Sequence, residues 1–312
     1  MARNKSRRHA RRHHVVSKFY LRRFANPKQQ VTRLPRGGNK SYIQSIKDAT
    51  VQNDFYTIRQ EDTSPDAFES QLGIIESEAA KSFEQVFKEN IWPLADDSRD
   101  TIARWIALQF IRGTNKRQQA EEMYRELSKL GISARSPDQL RKFLNLPSGI
   151  SESEVDSYCA QERERIDKEK VDSHYHLSAI SGSLEPVMEA VYSRPWRLVR
   201  FKKAQLGTSD TPVVLPSDSS SPFRGMGMGN AEIVFVPLSA RCALILGNLG
   251  AKEYDDEVEG DFHLARWLNY HTLYNSHRAV YYHPDSNPFD DFDIPEPRTR
   301  EMKFSQPQWV RY

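Results

Sequence analysis

Trp196-Arg197-Leu198-Val199-Arg200-Phe201 is the stretch on which the fold reading turns. Before it, apolar residues recur at helical spacing; from here they come in short β-prone runs. Val213-Val214-Leu215, residues 232–237 and residues 241–246 follow, separated by Gly, Ser and Pro and by the loop stretch 217–230. They read as a small antiparallel sheet over about 195–248. Upstream, Phe68, Leu72, Ile75, Ala79, Phe83, Val86 and Phe87 form one apolar stripe. Ser64-Pro65-Asp66 opens it, with proline at the first helical position and an acid at the positive end, and Pro93 stops it. A second helix is expected from about Ser98 to Leu130, carrying Ile102, Trp105, Ile106, Gln109 and Phe110. Ser136-Pro137-Asp138 opens a shorter one. Residues 152–170 alternate in charge and read as an exposed helix. Residues 174–192 predict a further helix, interrupted near Gly182 and Pro186.

Working outward to the start, Val16, Phe19, Tyr20 and Phe24 have helical spacing. They predict a short helix from about Ser17, with Ser17 as its N-cap and Pro27 as its stop. Residues 31–34 and 41–46 flank Gly37-Gly38 as a hairpin, and residues 51–58 add a strand. At the other end, Leu264, Trp267, Leu268, His271 and Tyr274 place a closing helix over about 261–277. Residues 284–312, with five prolines, read as an irregular tail. Strands, then helices, then strands, then a helix argue for α+β: a mainly helical body over about 64–192, with a small sheet in the C-terminal half. The expected organisation is a disordered basic arm over 1–12, one domain over 13–283, and the tail.

The chain has 312 residues, 38% of them apolar and 11% aromatic. Aromatic side chains on that scale build a core that a disordered chain lacks. No apolar run approaches the ~20 residues of a membrane helix. The Arg-rich start resembles a transit peptide but passes straight into a structured element, and no apolar stretch follows it as in a secretory signal. Two cysteines, Cys159 and Cys242, make no disulfide framework and point to a reducing, cytoplasmic setting.

Charge is distributed unevenly. Up to Lys47 there are 14 Lys or Arg and no Asp or Glu; the rest holds 31 basic and 42 acidic residues, a balance of −11. One basic segment on an acidic body is the pattern of a nucleic-acid contact. Arg3, Lys5, Arg7, Arg8, Arg11, Arg12, Arg22 and Arg23 are the candidate phosphate contacts. Docking of the arm on the acidic body is the structural alternative.

Motifs for chemistry are sparse. Gly225-Met226-Gly227-Met228-Gly229 lacks the Lys-Ser/Thr and the strand–turn–helix setting of a phosphate loop and reads as mobile. No cysteine pair has zinc spacing, and His174 and His176 stand without a matching pair. Arg8–His13 and Arg278–His283 share a spacing that chance supplies. His14, beside the basic arm, suits general acid–base work, or else it bonds a backbone carbonyl at the helix entry. Asp210, in Thr208-Ser209-Asp210-Thr211-Pro212, either caps its own turn or faces a cleft for metal binding or proton transfer. Glu69 and Glu76, seven apart, share a helix face. Gln109 and Arg112 are polar on an apolar helix; if buried, Arg112 needs a carboxylate.

Residues 13–25, His13-His14-Val15-Val16-Ser17-Lys18-Phe19-Tyr20-Leu21-Arg22-Arg23-Phe24-Ala25, resemble the opening of the DUF4238 family, mostly bacterial and phage-associated proteins. Asn53-Asp54-Phe55-Tyr56, Phe110-Ile111-Arg112, Ser209-Asp210-Thr211-Pro212, Val236-Pro237-Leu238-Ser239, and Asn269 with Arg278 are similar to its later blocks, in order. Where the family usually has proline, this chain has Ser17. The resemblance carries over His14, Asp54, Tyr56, Glu69, Glu76, Arg112, Asp210 and Asn269. It implies no settled activity, and association of some members with defence against phages. Three expectations follow. The first is an effector that cleaves or modifies nucleic acid, with His14 as acid or base and Asp210, Glu69 or Glu76 holding a divalent metal or orienting it. The second is a module binding RNA, DNA or a phage component. In the third, these polar residues are structural.

Overall fold

The computed structural model describes residues 11–38, 40–58, 64–147, 149–216, 227–251 and 255–297. Arg3, Lys5, Arg7 and Arg8 of the basic arm, and the tail from 298, lie outside the described residues. The chain divides into two compact units, one of residues 1–116 and 177–298, the other of residues 117–176 and 299–312.

The fold is α+β. In chain order it runs β1 (Arg12–His14), α1 (Lys18–Leu21), β2 (Gln30–Pro35), β3 (Tyr42–Ser45), β4 (Val51–Asn53), α2 (Ala67–Phe87) and α3 (Asp96–Ile111). Then come α4 (Thr114–Ser133), α5 (Pro137–Phe143), α6 (Glu152–Lys168), α7 (Ser173–Tyr192), β5 (Trp196–Arg200), β6 (Thr208–Ser209) and β7 (Val234–Ser239). The chain closes with β8 (Cys242–Leu246), β9 (Asp256–Glu259), α8 (Phe262–Asn275) and β10 (Ala279–Tyr282).

Local chemistry accounts for most of the helices. Ser136 and Ser151 each accept from the backbone N–H three residues on and donate their own N–H to the Gln139 or Glu154 side chain, closing a capping box at the start of α5 and of α6. Asp261 accepts from Leu264 N–H at 2.7 Å and starts α8. Three expectations need correction. The helix expected from Ser98 to Leu130 is two, broken at Arg112-Gly113. Tyr56 Oη donates to the Arg112 carbonyl at 3.3 Å, and Lys116 N–H turns to Gly113 O at 3.1 Å, so the i to i+4 ladder lapses there. The helix expected to break at Gly182 and Pro186 is continuous, with Pro186 inside it; one missing N–H is absorbed by a 20-residue helix. The described end of the glycine-rich loop, from 227, is anchored rather than mobile, since Arg194 donates to the Met228 and Ala231 carbonyls at 2.7 and 2.8 Å; residues 225 and 226 lie outside the described residues.

Among its described residues, the first unit carries three sheets. β1 pairs antiparallel with β4, His13 opposite Gln52. The hairpin β2–β3 does not stand alone: the sheet order is β3-β2-β10-β6, so strands from both ends of the chain close it, all antiparallel. The third sheet is β7-β8-β5-β9, and here β9 runs parallel to β5, so the expected all-antiparallel sheet is mixed. The strand expected over 51–58 shrinks to three residues, and β1 was not foreseen, because its pairing partner lies about forty residues away. Val214 joins only as an isolated bridge to Phe235.

Trp105 is fully buried at the centre of the main core, ringed by Phe19, Tyr20 and Phe83 at 5.0–5.7 Å between ring centres. Tyr20 Oη satisfies itself inside this core by donating to the Pro237 carbonyl at 2.6 Å, beside Thr208 Oγ1. The second unit has its own small core of Ile132, Leu140, Val155, Cys159 and Ile166. No described helix is long and apolar enough to cross a membrane.

Candidate functional site

Three elements meet at Ser17. On α3 and at its C-cap, Trp105, Gln109 and Arg112 stand at i, i+4 and i+7 and share a face. On α2, Glu69 and Glu76 share another. Ser17 sits just before α1, in extended backbone, with no capping bond of its own. Ser17 holds the expected N-cap position, but its side chain does not cap: the hydroxyl donates to Glu76 Oε1 at 2.8 Å rather than accepting from the helix. Trp105 Nε1 donates to Ser17 Oγ at 3.0 Å, and Arg112 donates to the same oxygen at 2.9 Å and to Glu76 at 2.7 Å. A hydroxyl accepts two hydrogen bonds and donates one. Trp105, Arg112 and Glu76 fill that capacity, so Gln109 is best placed with its amide oxygen toward Arg112. It then accepts from the guanidinium at 2.5 and 3.0 Å. Arg112 is 1% exposed. Glu76 and the Ser17 oxygen hold its charge, and Glu76 with the Tyr56 oxygen raises its pKa against the opposing cost of burial.

Glu69 lies at the edge of this network. Burial pushes its carboxyl up, against the pull of His13 and Arg112, and its Oε2 is buried without a hydrogen-bond partner. His13, fully buried, accepts the Tyr56 backbone N–H on Nδ1 at 2.8 Å and stacks on the Tyr56 ring. His14, its neighbour on β1, is half-buried. Its Nε2 is 3.3 Å from the Ile46 carbonyl, so that nitrogen carries the proton. Burial lowers its pKa, against the hydrogen bond to Ile46, and the charges of Lys18 and Arg12 add to the lowering.

The remaining family-like positions do not join the network. Asp54 has a positive φ of 52°, which Asp tolerates in a turn; its backbone N–H donates to the Arg11 carbonyl at 2.7 Å, and its carboxylate accepts from the Arg11 guanidinium at 3.2 Å. Asp210 is buried and caps its neighbours. Its two oxygens accept from the His277 and Arg278 backbone N–H groups at 2.9 Å each, and Ala279 N–H contributes a third. Burial raises its pKa while these three donors pull it down. Asn269 holds a chain reversal, accepting Gly207 N–H at 3.0 Å and donating to Gln205 O at 2.9 Å. Asp210 and Asn269 line different cavities. Among the described residues, no group of three or more His, Cys, Asp or Glu is placed to hold a metal ion.

The basic candidates divide as well. Arg11 and Arg12 are exposed on and beside β1, paired with Asp54 at 3.2 Å and Asp48 at 2.5 Å. Exposed Arg22 bonds Gln29. Arg23 turns inward over Phe87, 4.1 Å from the ring centre, and burial lowers its pKa to about 10. Gln109 and Arg112 could be found in the sequence as polar residues on an apolar helix; Ser17 and His13 gave no such signal.

No curated protein and no solved structure matches this chain. A family model, described as a protein of unknown function, matches residues 12–286. On that match over most of its length, and on the blocks just placed in the fold, the chain belongs to the DUF4238 family.

Proposed function

We propose that the protein binds nucleic acid through its N-terminal basic segment, and that its family-like polar residues hold the fold presenting it. The carrying observation is the charge split: 14 cations and no acid up to Lys47. Within that segment Arg11, Arg12, Lys18, Arg22, Lys28 and Lys47 are exposed. The pairs of Arg11 and Arg12 with Asp54 and Asp48 lie at the surface, where an ion pair is worth about 0–1 kcal/mol, so a phosphate can displace the carboxylate. Arg112, Asp210 and Asn269, by contrast, spend their polar atoms inside the protein. Defence against phages is the setting we propose for this binding, following the association of other family members.

The test is the salt dependence of binding to a fluorescent single-stranded oligonucleotide. Replacing Arg3, Lys5, Arg7, Arg8, Arg11 and Arg12 by glutamine keeps β1 intact and removes six cations. The slope of log K against log salt is expected to flatten by about 4, at ~0.7 per lost phosphate contact. An unchanged slope rejects the proposal.

A second reading, hydrolysis of nucleic acid, is favoured by one observation: Glu69 keeps a buried oxygen without a partner, near His13. Environments push the Glu69 carboxyl up and His14 down, the pattern of an acid and a base poised for work. With His14 as base, cleavage rises with pH, with its midpoint below the ordinary imidazole value of about 6.5. His14→Ala should abolish cleavage with the fold intact by circular dichroism. Full activity in that variant ends this reading.

A further inference from the structure

Strand register sets three side chains in a row: Tyr42 stands opposite Arg33, and Arg33 opposite Tyr281. Cross-strand neighbours share a face, and Gln44, two residues along β3, shares it too. That face lines a cavity of about 220 Å³, together with Thr114, Asp210 and Arg278. Its unmet groups are donors. Thr114 is 8% exposed, and its hydroxyl is buried without a partner; so is the Gln44 amide nitrogen. The Arg278 side chain is exposed and makes no hydrogen bond or ion pair among the described residues. Arg33 is held in place by the Tyr42 hydroxyl and by Tyr281. Both acids on the lining are already answered, Asp210 by three backbone N–H groups and Asp48 by Arg12.

Two guanidinium groups with unmet neutral donors, beside acids whose oxygens already have donors, suit a dianionic oxyanion. The volume equals that of about seven waters at ~30 Å³ each, more than a five-atom phosphate fills. Tyr42, 46% exposed on the same lining, offers an aromatic face on which a base can stack. We propose that this cavity binds the phosphate monoester of a nucleotide, free or at the end of a nucleic-acid chain. The proposal goes beyond the basic-arm reading and stands without it, because a mononucleotide carries the same group.

The experiment titrates the full chain calorimetrically with adenosine 5′-monophosphate, adenosine, inorganic phosphate, and one RNA decamer with either a 5′-phosphate or a 5′-hydroxyl. Saturable one-site binding of the monophosphate or of the phosphorylated decamer is expected, with adenosine and the hydroxyl decamer about tenfold weaker or more. The tighter of the two phosphorylated probes names the source. Arg278→Gln should weaken binding about tenfold. Thr114→Val should weaken it several-fold while leaving the urea midpoint equal or higher, since its hydroxyl has no partner to lose. The proposal is overturned by no saturable binding of either phosphorylated probe, or by adenosine or inorganic phosphate binding as tightly as the monophosphate. Unchanged binding in both variants overturns it as well. The two proposals fail separately: loss of the salt slope is read on the hydroxyl decamer, loss of the cavity on the mononucleotide.

Discussion

Arg112→Ala is expected to cost about 3–5 kcal/mol of stability, the range for breaking a buried ion pair by removing one partner. The guanidinium is 1% exposed and ties α3 to Glu76 on α2 and to Ser17 ahead of α1. Its removal takes the donor from the buried Gln109 oxygen and leaves the Glu76 carboxylate, 26% exposed, held by the Ser17 hydroxyl without its counter-charge. Urea denaturation followed by tryptophan fluorescence reads the effect, because Trp105 is bonded into the same cluster. The compensating variant separates charge from packing. Arg112→Met with Glu76→Leu removes both charges, and apolar replacements of a buried pair are often neutral or stabilising. The double variant should recover most of the loss. A wild-type midpoint in Arg112→Ala would show that the pair does not hold the fold.

Asp210→Ala ranks next, at roughly 2–4 kcal/mol, since three backbone N–H groups lose one shared acceptor in the interior. Those donors lie where the chain leaves α8 for β10, so the loss loosens the strand that joins the N-terminal hairpin to β6. Asp210→Asn should be costly too. Its amide keeps one acceptor but turns two new donors toward donors. Amide hydrogen exchange at His277 and Arg278 should quicken in both variants. Protection as slow as in the wild type would mean that these N–H groups find other acceptors, and would remove the capping role.

These two effects bear on the functional question. A polar residue that the family resemblance picks out can be there for chemistry or for folding. Arg112, Asp210 and Asn269 answer it by where their atoms go: into the Glu76 and Ser17 oxygens, onto three backbone N–H groups, and across Gly207 and Gln205. His14 and Glu69 have atoms left over for other work, and so does the lining of the cavity at Thr114, Gln44 and Arg278. Family membership and buried polar residues are therefore compatible with a functional surface elsewhere on the same unit.

The residue that departs from the family opening is also the hub of the buried network. Proline has no hydroxyl, so in a chain with proline at this position Trp105 and Arg112 would need other acceptors. Ser17 was legible in the sequence as a departure, but its chemistry was not. A serine ahead of a helix ordinarily caps it, and only the packing of α2 and α3 turns that hydroxyl to Glu76.

The sequence by itself determined what local physics controls. Helical periodicity marked α2 and α8, a start signal marked α5 and alternating charge α6, runs flanking Gly37-Gly38 marked the hairpin, and the charge split marked the basic segment; α2 itself starts at Ala67, two residues past the expected proline. An i, i+3 polar pair on an apolar helix was enough to announce Gln109 and Arg112. Tertiary structure alone decided the partners. β1 with β4, β10 between β2 and β6, β9 parallel to β5, and Ser17 against Glu76 all join residues from about forty to nearly two hundred and fifty positions apart. Such contacts depend on loop closure and on which faces remain to be buried, and neither quantity is written in any local window.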